Sequence, residues 1–368
     1  MPDADLYCEV RTLGGTYRDW LSVNVAQSFD QSWSRSFALT CAEPSAASAF
    51  RLKPGDRVDI ALAGQVLIKE GYITQRQAAY DGARHAVQVS GFSKAGITEI
   101  VSAQSGTGQF RGYKIDAIAN SVLKPLGLKF EVKDGPKGWD TPFPQVMIRH
   151  GETPFALISR LCNQRGLWIE AEADGTLTAG TKVDGSGAQF VEGVNILSAS
   201  CMIEMPGAAE LITSSQMTGS DSLFGRKASE ISAKSTITGG IPGTKQTYLA
   251  EMPLDQKGAE LRTNMQAQAI ESARLRVNLT YQGWLKPDGS LWKLKEPVTV
   301  KSPMLFPTKS GQMELKLWGY THSQSESGTT TTLDLVNENA FGVRAQDAKE
   351  NDGWYNPGAT PAVPEERT

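Results

Sequence analysis

The sequence predicts a mainly β chain of the α+β class: two similar small β-barrel domains, an α+β domain between them, and an insertion in the second barrel. Three observations carry this prediction. Short runs in which apolar and polar residues alternate, the period of a strand with one buried face, fill Leu6 to Ile100 and return after about Val183. Helical spacing of apolar residues is confined to Tyr113 to Leu126, a segment after Thr153, and Gln256 to Arg276. A Gly-rich connector, Ser105-Gly106-Thr107-Gly108, separates the first strand-rich region from the first helix.

In the first barrel, expected over residues 1–104, Gly55 to Leu62 and His85 to Phe92 alternate cleanly, so each puts one face into a core. Gln65 to Ile68 and Glu70 to Ile73 fit a hairpin partner in which Gly71 permits a bulge or bend. Turn signals at Gly14-Gly15, Pro54-Gly55-Asp56, Ala63-Gly64 and Asp81-Gly82 punctuate these runs.

The α+β domain is expected over 105–182. Ile115, Ile118, Ala119, Val122 and Leu123 line one side of a helix that Pro125 and Gly127 end, and Leu128 to Val132 alternates as a strand. In a second helix Thr153 is an N-cap and Pro154 the first helical residue, where its missing N–H costs nothing; Gly166 stops it. Leu167 to Glu172 and Ala173 to Thr178 then read as a hairpin turned by Asp174-Gly175.

The second barrel is expected over 183–219 and 275–346, from strand-like runs at 195–197, 210–217, 275–281, 298–300, 314–320 and 329–336. An insertion at 220–274 interrupts it. Its first part, Ser220 to Leu254, is rich in Ser, Thr, Gly and Lys and reads as surface; its second is a helix with Leu261, Met265, Ala269 and Ala273 four apart. Residues 347–368, with Pro357, Pro361 and Pro364 and no periodicity, read as a flexible or partner-ordered tail.

Composition narrows the function. With 37 Lys plus Arg against 40 Asp plus Glu there is no basic field to neutralise a phosphate backbone, which argues against specific nucleic-acid binding. No apolar run approaches the ~20 residues that span a bilayer, and Met1 to Val10 lacks the pattern of a signal peptide, so a soluble protein without membrane binding is expected. Cys8, Cys41, Cys162 and Cys201 form no CxxC pair and read as reduced structural thiols. His85, His150 and His322 are equally scattered, so no metal site, cofactor or histidine-centred triad is read.

The run Gly151 to Glu170, with its Phe155, Ile158, Arg160, Leu161, Gly166 and Leu167 before an acidic Asp-Gly hairpin, resembles the helix-then-strand signature of the baseplate hub family of contractile tails. That family includes the Mu-like tail protein, the late control proteins of temperate phages and the base of the type VI secretion spike. Lys53 to Val58 with Gly71-Tyr72-Ile73, and Gln282 to Trp292, are similar to its Mu-like branch. The resemblance implies a homotrimer whose two barrels per chain build a pseudo-sixfold ring, a symmetry adapter between a hexameric tail tube and a trimeric central spike. It implies a virion structural protein of the tail baseplate, made and assembled in the host cytoplasm. Its partners would be the spike, tube or tail-terminal proteins and other baseplate proteins.

No catalytic residue is read. The carboxylates Glu170 and Glu172 share a strand face and could formally serve a glycosidase, although alternate acids on such a hairpin are usually a solvated face. A tail-associated peptidoglycan-hydrolysing or peptidoglycan-binding protein is therefore the alternative. Trp284, Trp292, Trp318 and Tyr320 are candidates for an oligomer or partner interface, with a sugar-stacking platform and a packed barrel wall as the other readings of the same aromatics.

Overall fold

Alternation in the N-terminal region produces seven strands: β1 (Cys8–Thr12), β2 (Gly15–Tyr17), β3 (Ser22–Ser28), β4 (Ser32–Ala42), β5 (Arg57–Leu62), β6 (Gln65–Tyr80) and β7 (His85–Phe92). The computed structural model describes residues 7–30, 32–42, 52–80, 85–181, 187–217, 224–250, 253–306, 311–337 and 341. The tail expected at 347–368, the Asp81-Gly82 turn and the insertion's first residues, 220–223, lie outside the described residues. The seven strands are ordered β3-β4-β7-β6-β5-β1-β2 and share one core that includes Val10, Val25, Leu39, Ile60, Ile68 and Val89. The bulge expected near Gly71 is present. The register shifts between Val58 and Ile60, Glu70 takes a left-handed φ of 53°, and the Asp59 carboxylate accepts its N–H at 2.7 Å.

The middle unit contains α1 (Ile97–Ile100), β8 (Gln109–Phe110), α2 (Ile115–Leu123), β9 (Phe130–Val132), β10 (Val146–Met147), α3 (Pro154–Arg165), β11 (Trp168–Ala171) and β12 (Leu177–Gly180). The caps of α3 are those the sequence predicts. Thr153 Oγ1 accepts the Ala156 N–H at 3.2 Å, Pro154 opens the helix, and Gly166 closes it with φ of 66°. The sheet runs β11-β12-β9, the hairpin antiparallel and β9 parallel to β12. Ile118, Val122, Leu157, Leu161 and Leu177 form its core with α2 and α3, and Trp33 of β4 enters the same core.

Next come β13 (Ala188–Val191), β14 (Ser198–Ile203), β15 (Ala208–Ser215), α4 (Arg226–Ser229), β16 (Ile231–Thr236), β17 (Ile241–Leu249), α5 (Gln256–Ala273), β18 (Leu275–Gln282), β19 (Pro297–Lys301), β20 (Gln312–Ser325) and β21 (Gly328–Asn337). The second β unit is β14-β18-β21-β20, with β19 on β20 and β13 on β19. Phe190, Val277, Trp292, Phe306, Leu315 and Leu333 pack inside it. The strand predicted over 210–217 does not join this unit. As β15 it is the central strand of a separate sheet, β16-β15-β17, covered by α5, and the segment read as plain surface supplies both its neighbours.

Among the described residues neither β unit closes into a barrel, a departure from the prediction with a clear cause. The edge of β3 that would meet the far end of its own unit is given to β20 instead, over Ser28↔Gly319 to Val23↔Gln324. On that same side of β20 the first half, Gln312 to Lys316, pairs with β19. Among the described residues thirteen strands thus form one continuous open sheet. At the junction a Cβ on Gly319 would stand 2.9 Å from the Ser28 side chain, so only glycine fits there without movement. Gly319→Val is expected to cost about 1–3 kcal/mol, measured by urea unfolding, because an added side chain must push the two strands apart.

Candidate assembly surface

Among the described residues β14 and β2, the two ends of the hydrogen-bonded path, each have a single strand neighbour. On β14, Ala199 and Cys201 pack toward the second core, while Ser198, Ser200 and Met202 face solvent. Large apolar side chains cluster on and beside this edge: Val194, Leu197, Met202, Ile203 and Met205 are all exposed, Val194 at 78%. An open edge strand with exposed apolar side chains is a template for pairing with another chain. At the other end β2 is three residues long, and Leu13 at its hairpin tip is fully exposed.

The four aromatics singled out in the sequence lie inside the chain, in the two β cores and at the joint between units. Trp284 sits in the core of the first β unit, its Nε1 donating to the Ser323 carbonyl at 3.0 Å. Trp292 is in the second core, bonded through Nε1 to Tyr281 Oη at 2.6 Å. Trp318 meets Phe29 of the first unit, Trp168 of the middle unit and Phe341, with ring centroids 5.3, 5.3 and 5.5 Å away; this cluster ties the three units together. Tyr320 places its hydroxyl between Arg35 Nε, from which it accepts at 3.0 Å, and Gln27 Oε1, to which it donates at 3.0 Å. Burial pushes its phenol pKa up. The turn at Pro287-Asp288-Gly289 closes locally, with Lys286 N–H on the Ser290 carbonyl, and it docks on the first unit, where Gln65 Nε2 donates to the Gly289 carbonyl at 2.6 Å.

The two candidate carboxylates each hold a lysine. Glu170 pairs with the buried Lys295 at 2.9 Å and Glu172 with Lys133 at 3.0 Å. For Glu172, burial raises the pKa, but the hydrogen bond and charge of Lys133 outweigh it and leave the group below its ordinary value. A glycosidase needs one acid raised so that it holds a proton near neutral pH, and Glu172 is shifted the opposite way. A folded-state pKa below the unfolded ~4.3 means stability that is present above that value and lost as pH falls through the folded one. Glu172→Gln should therefore shallow the acid limb of the stability curve, read by urea unfolding between neutral pH and about pH 3.

Sequence reasoning missed Arg35, Lys286, Lys295 and Glu296, all buried. Lys293-Leu294-Lys295-Glu296 alternates as a solvated strand would; only the fold turns it inward, with Lys295 in a left-handed conformation at φ 68°. His322 is buried too, and burial together with the Arg35 charge lowers its pKa to about 3. The four cysteines are free thiols; burial, with the Glu9 charge, pushes Cys8 up to about 12. Among the described residues no group of three or more His, Cys, Asp or Glu could hold a metal ion, and no helix is long and apolar enough to cross a membrane.

Residues 8–93 match the family model of the Mu phage baseplate assembly protein GpP-like, N-terminal, and residues 101–181 that of the baseplate hub protein gp44-like, second domain. No curated protein matches the chain. Among solved structures, the 43 kDa tail protein of prophage MuSo2 from Shewanella oneidensis is similar at TM-score 0.78 and 22% identity, over 91% of this chain and 99% of that one. A tail protein from Neisseria meningitidis is similar at TM-score 0.75 and 18% identity, over 91% and 97%. The E. coli c3393 protein, a component of the type VI secretion system, is similar at TM-score 0.56 and 10% identity, over 91% and 79%. The resemblance carried by residues 53–73 and 151–170 therefore holds: the two segments fall within the stretches similar to a Mu GpP-like N-terminal domain and a gp44-like baseplate hub second domain, and the chain shares the fold of the two tail proteins.

Proposed function

We propose that this chain is a structural baseplate hub subunit of a contractile phage tail. Three copies form a pseudo-sixfold ring that joins the hexameric tail tube to the trimeric central spike, and in this role no bond is made or broken. The two matched domain families, one of baseplate assembly proteins and one of baseplate hubs, support the tail role. So does the likeness to the E. coli type VI component, itself described as similar to the T4 tail proteins gp27 and gp5.

The observation that carries the reading is the edge-to-edge fusion of two β units through β3 and β20, with strand edges at β14 and β2 that are unpaired among the described residues. A contact between two different surfaces of identical chains closes into a ring when its rotation allows. Three chains with two β units each then present six units to a six-fold tube and three repeats to a three-fold spike. The aromatics Trp284, Trp292, Trp318 and Tyr320 are buried within the chain, and the apolar side chains beside β14 are what a neighbouring copy would cover. Met202 is exposed, so Met202→Lys leaves the monomer's core intact while placing a charge where an edge would pair. The expected result is a wild-type ring and a Met202→Lys protein shifted strongly toward monomer, read by light scattering and negative-stain images. Rings of unchanged stability in the variant would remove β14 from the assembly surface.

A further inference from the structure

Where the three units meet, a cavity of about 210 Å³ opens to solvent. Arg35 reaches it from β4 in the first unit, Glu170, Glu172 and Thr178 line it from the middle unit, and Lys293 and Lys295 line it from the loop before β19 in the second. Its carboxylates already have partners. Glu170 holds Lys295, Glu172 holds Lys133, and Asp134 accepts from the Thr181 N–H at 3.2 Å and its hydroxyl at 2.7 Å.

The positive side is less well served. Arg35 is 5% exposed, and its Nε donates to a neutral phenol, Tyr320, while among the described residues its Nη1 has no hydrogen-bond partner. Thr178, 3% exposed, lines the same cavity, and among the described residues its Oγ1 has no hydrogen-bond partner. A buried guanidinium N–H without an acceptor is costly, and such groups in folded proteins are satisfied by a partner, a water or an ion. Lys293 adds a further positive charge to the lining, exposed to solvent. The lining thus carries four basic residues, Arg35, Lys133, Lys293 and Lys295, against three acidic ones, Asp134, Glu170 and Glu172. The volume is well above the ~10–15 Å³ that one water requires.

We propose that this cavity binds a small inorganic oxyanion of the size and charge of phosphate or sulfate, held by the Arg35 guanidinium and the Thr178 hydroxyl, with Lys293 adding attraction from the solvent side. The bound anion links the first, middle and second units and stiffens their junction. Oxyanions suit this site better than a carboxylate ligand because the two unpartnered groups approach from different units, and a tetrahedral ion offers acceptors in several directions.

The test is thermal unfolding of the full-length protein in inorganic phosphate up to about 10 mM at constant ionic strength, below the range in which phosphate stabilises proteins by exclusion from their surface. A ligand that binds only the folded state raises Tm in a saturable way. The expected result is a saturable rise for wild type, none for Arg35→Met, and half-saturation about two- to fivefold higher for Lys293→Gln, the scale of an exposed charge contact. Should Arg35→Met fail to fold, Thr178→Val serves in its place, with half-saturation raised about tenfold for one lost hydrogen bond. No saturable shift in wild type, or a response in Lys293→Gln and Thr178→Val equal to wild type, would overturn the proposal.

Discussion

Trp284→Ala is expected to destabilise the protein by about 3–5 kcal/mol, the cost of emptying a large, fully buried aromatic site. The effect should appear in the first β unit, although Trp284 lies in the loop between β18 and β19 of the second. Its ring packs in the core with Val25, Ile60 and Ile68, and Leu291 packs against the same core. Gln65 fastens the loop by donating to the Gly289 carbonyl and accepting the Leu291 N–H at 3.3 Å. Amide hydrogen exchange should therefore accelerate in β5 and β6 as well as around Ser323, and urea unfolding should give the free-energy loss. Trp284→Phe keeps most of the apolar area but leaves the Ser323 carbonyl without its donor, so it should cost less. A change below about 1 kcal/mol in Trp284→Ala, the size of an exposed substitution, would mean that the loop does not wedge the two units together.

The second large effect is expected at the buried pair Lys286 and Glu296, 2.9 Å apart and 4% and 2% exposed. Lys286 also lies 5.7 Å from the Trp292 ring centroid, and Glu296 accepts the Lys293 N–H at 3.3 Å. Removing one partner leaves the other charge buried and alone, so Lys286→Met should cost about 3–5 kcal/mol at neutral pH. Replacing both, Lys286→Met with Glu296→Leu, should recover most of that loss because the desolvation of both charges disappears with their attraction. The pH dependence has a definite sign. Burial holds Glu296 above its ordinary value, partly offset by Lys286; a raised carboxylate contributes stability below its unfolded value of ~4.3 and loses it as pH rises through the folded one. Without Lys286 the group is raised further, so the variant's deficit should be largest at neutral pH and shrink on acidification. Urea unfolding of single and double variants across that range measures it, and a pH-independent deficit would contradict the assignment.

How far the sequence predicts the fold depends on whether a feature is local. The limits of α3 follow from Thr153, Pro154 and Gly166, each of which acts within one turn of its own position. The β11–β12 hairpin follows from Asp174-Gly175 in the same way. Strand partnership is not local. The alternation of Gln312 to Ser325 announces a strand, but nothing in it records that one edge serves β19 and then β3, and that choice is what leaves both β units open. Likewise Glu210 to Met217 reads as a strand in any sheet, and only its pairing with β16 and β17 assigns β15 to a separate one.

The candidate sites show the same division. Trp284, Trp292, Trp318 and Tyr320 are close in sequence, yet the chain sends Trp284 to one core, Trp292 and Tyr320 to another and Trp318 to the joint between units. Glu170 and Glu172 are legible as neighbouring acids, but their lysine partners come from 125 and 39 residues away, Lys295 and Lys133, so their pairing is visible only in three dimensions. Arg35 carries no signal in its surroundings, a run of Ser, Trp and Phe that reads as an ordinary strand.

The most direct test of the hub reading is the mass of the full-length protein in solution, by light scattering at several concentrations. A chain of 39.8 kDa that assembles as three copies has a mass of about 119 kDa, three times 39.8, and this is the predicted result, with images of the same sample showing a ring of near-sixfold outline. A mass that stays at one chain, or settles at two, across the whole concentration range would contradict the trimeric ring.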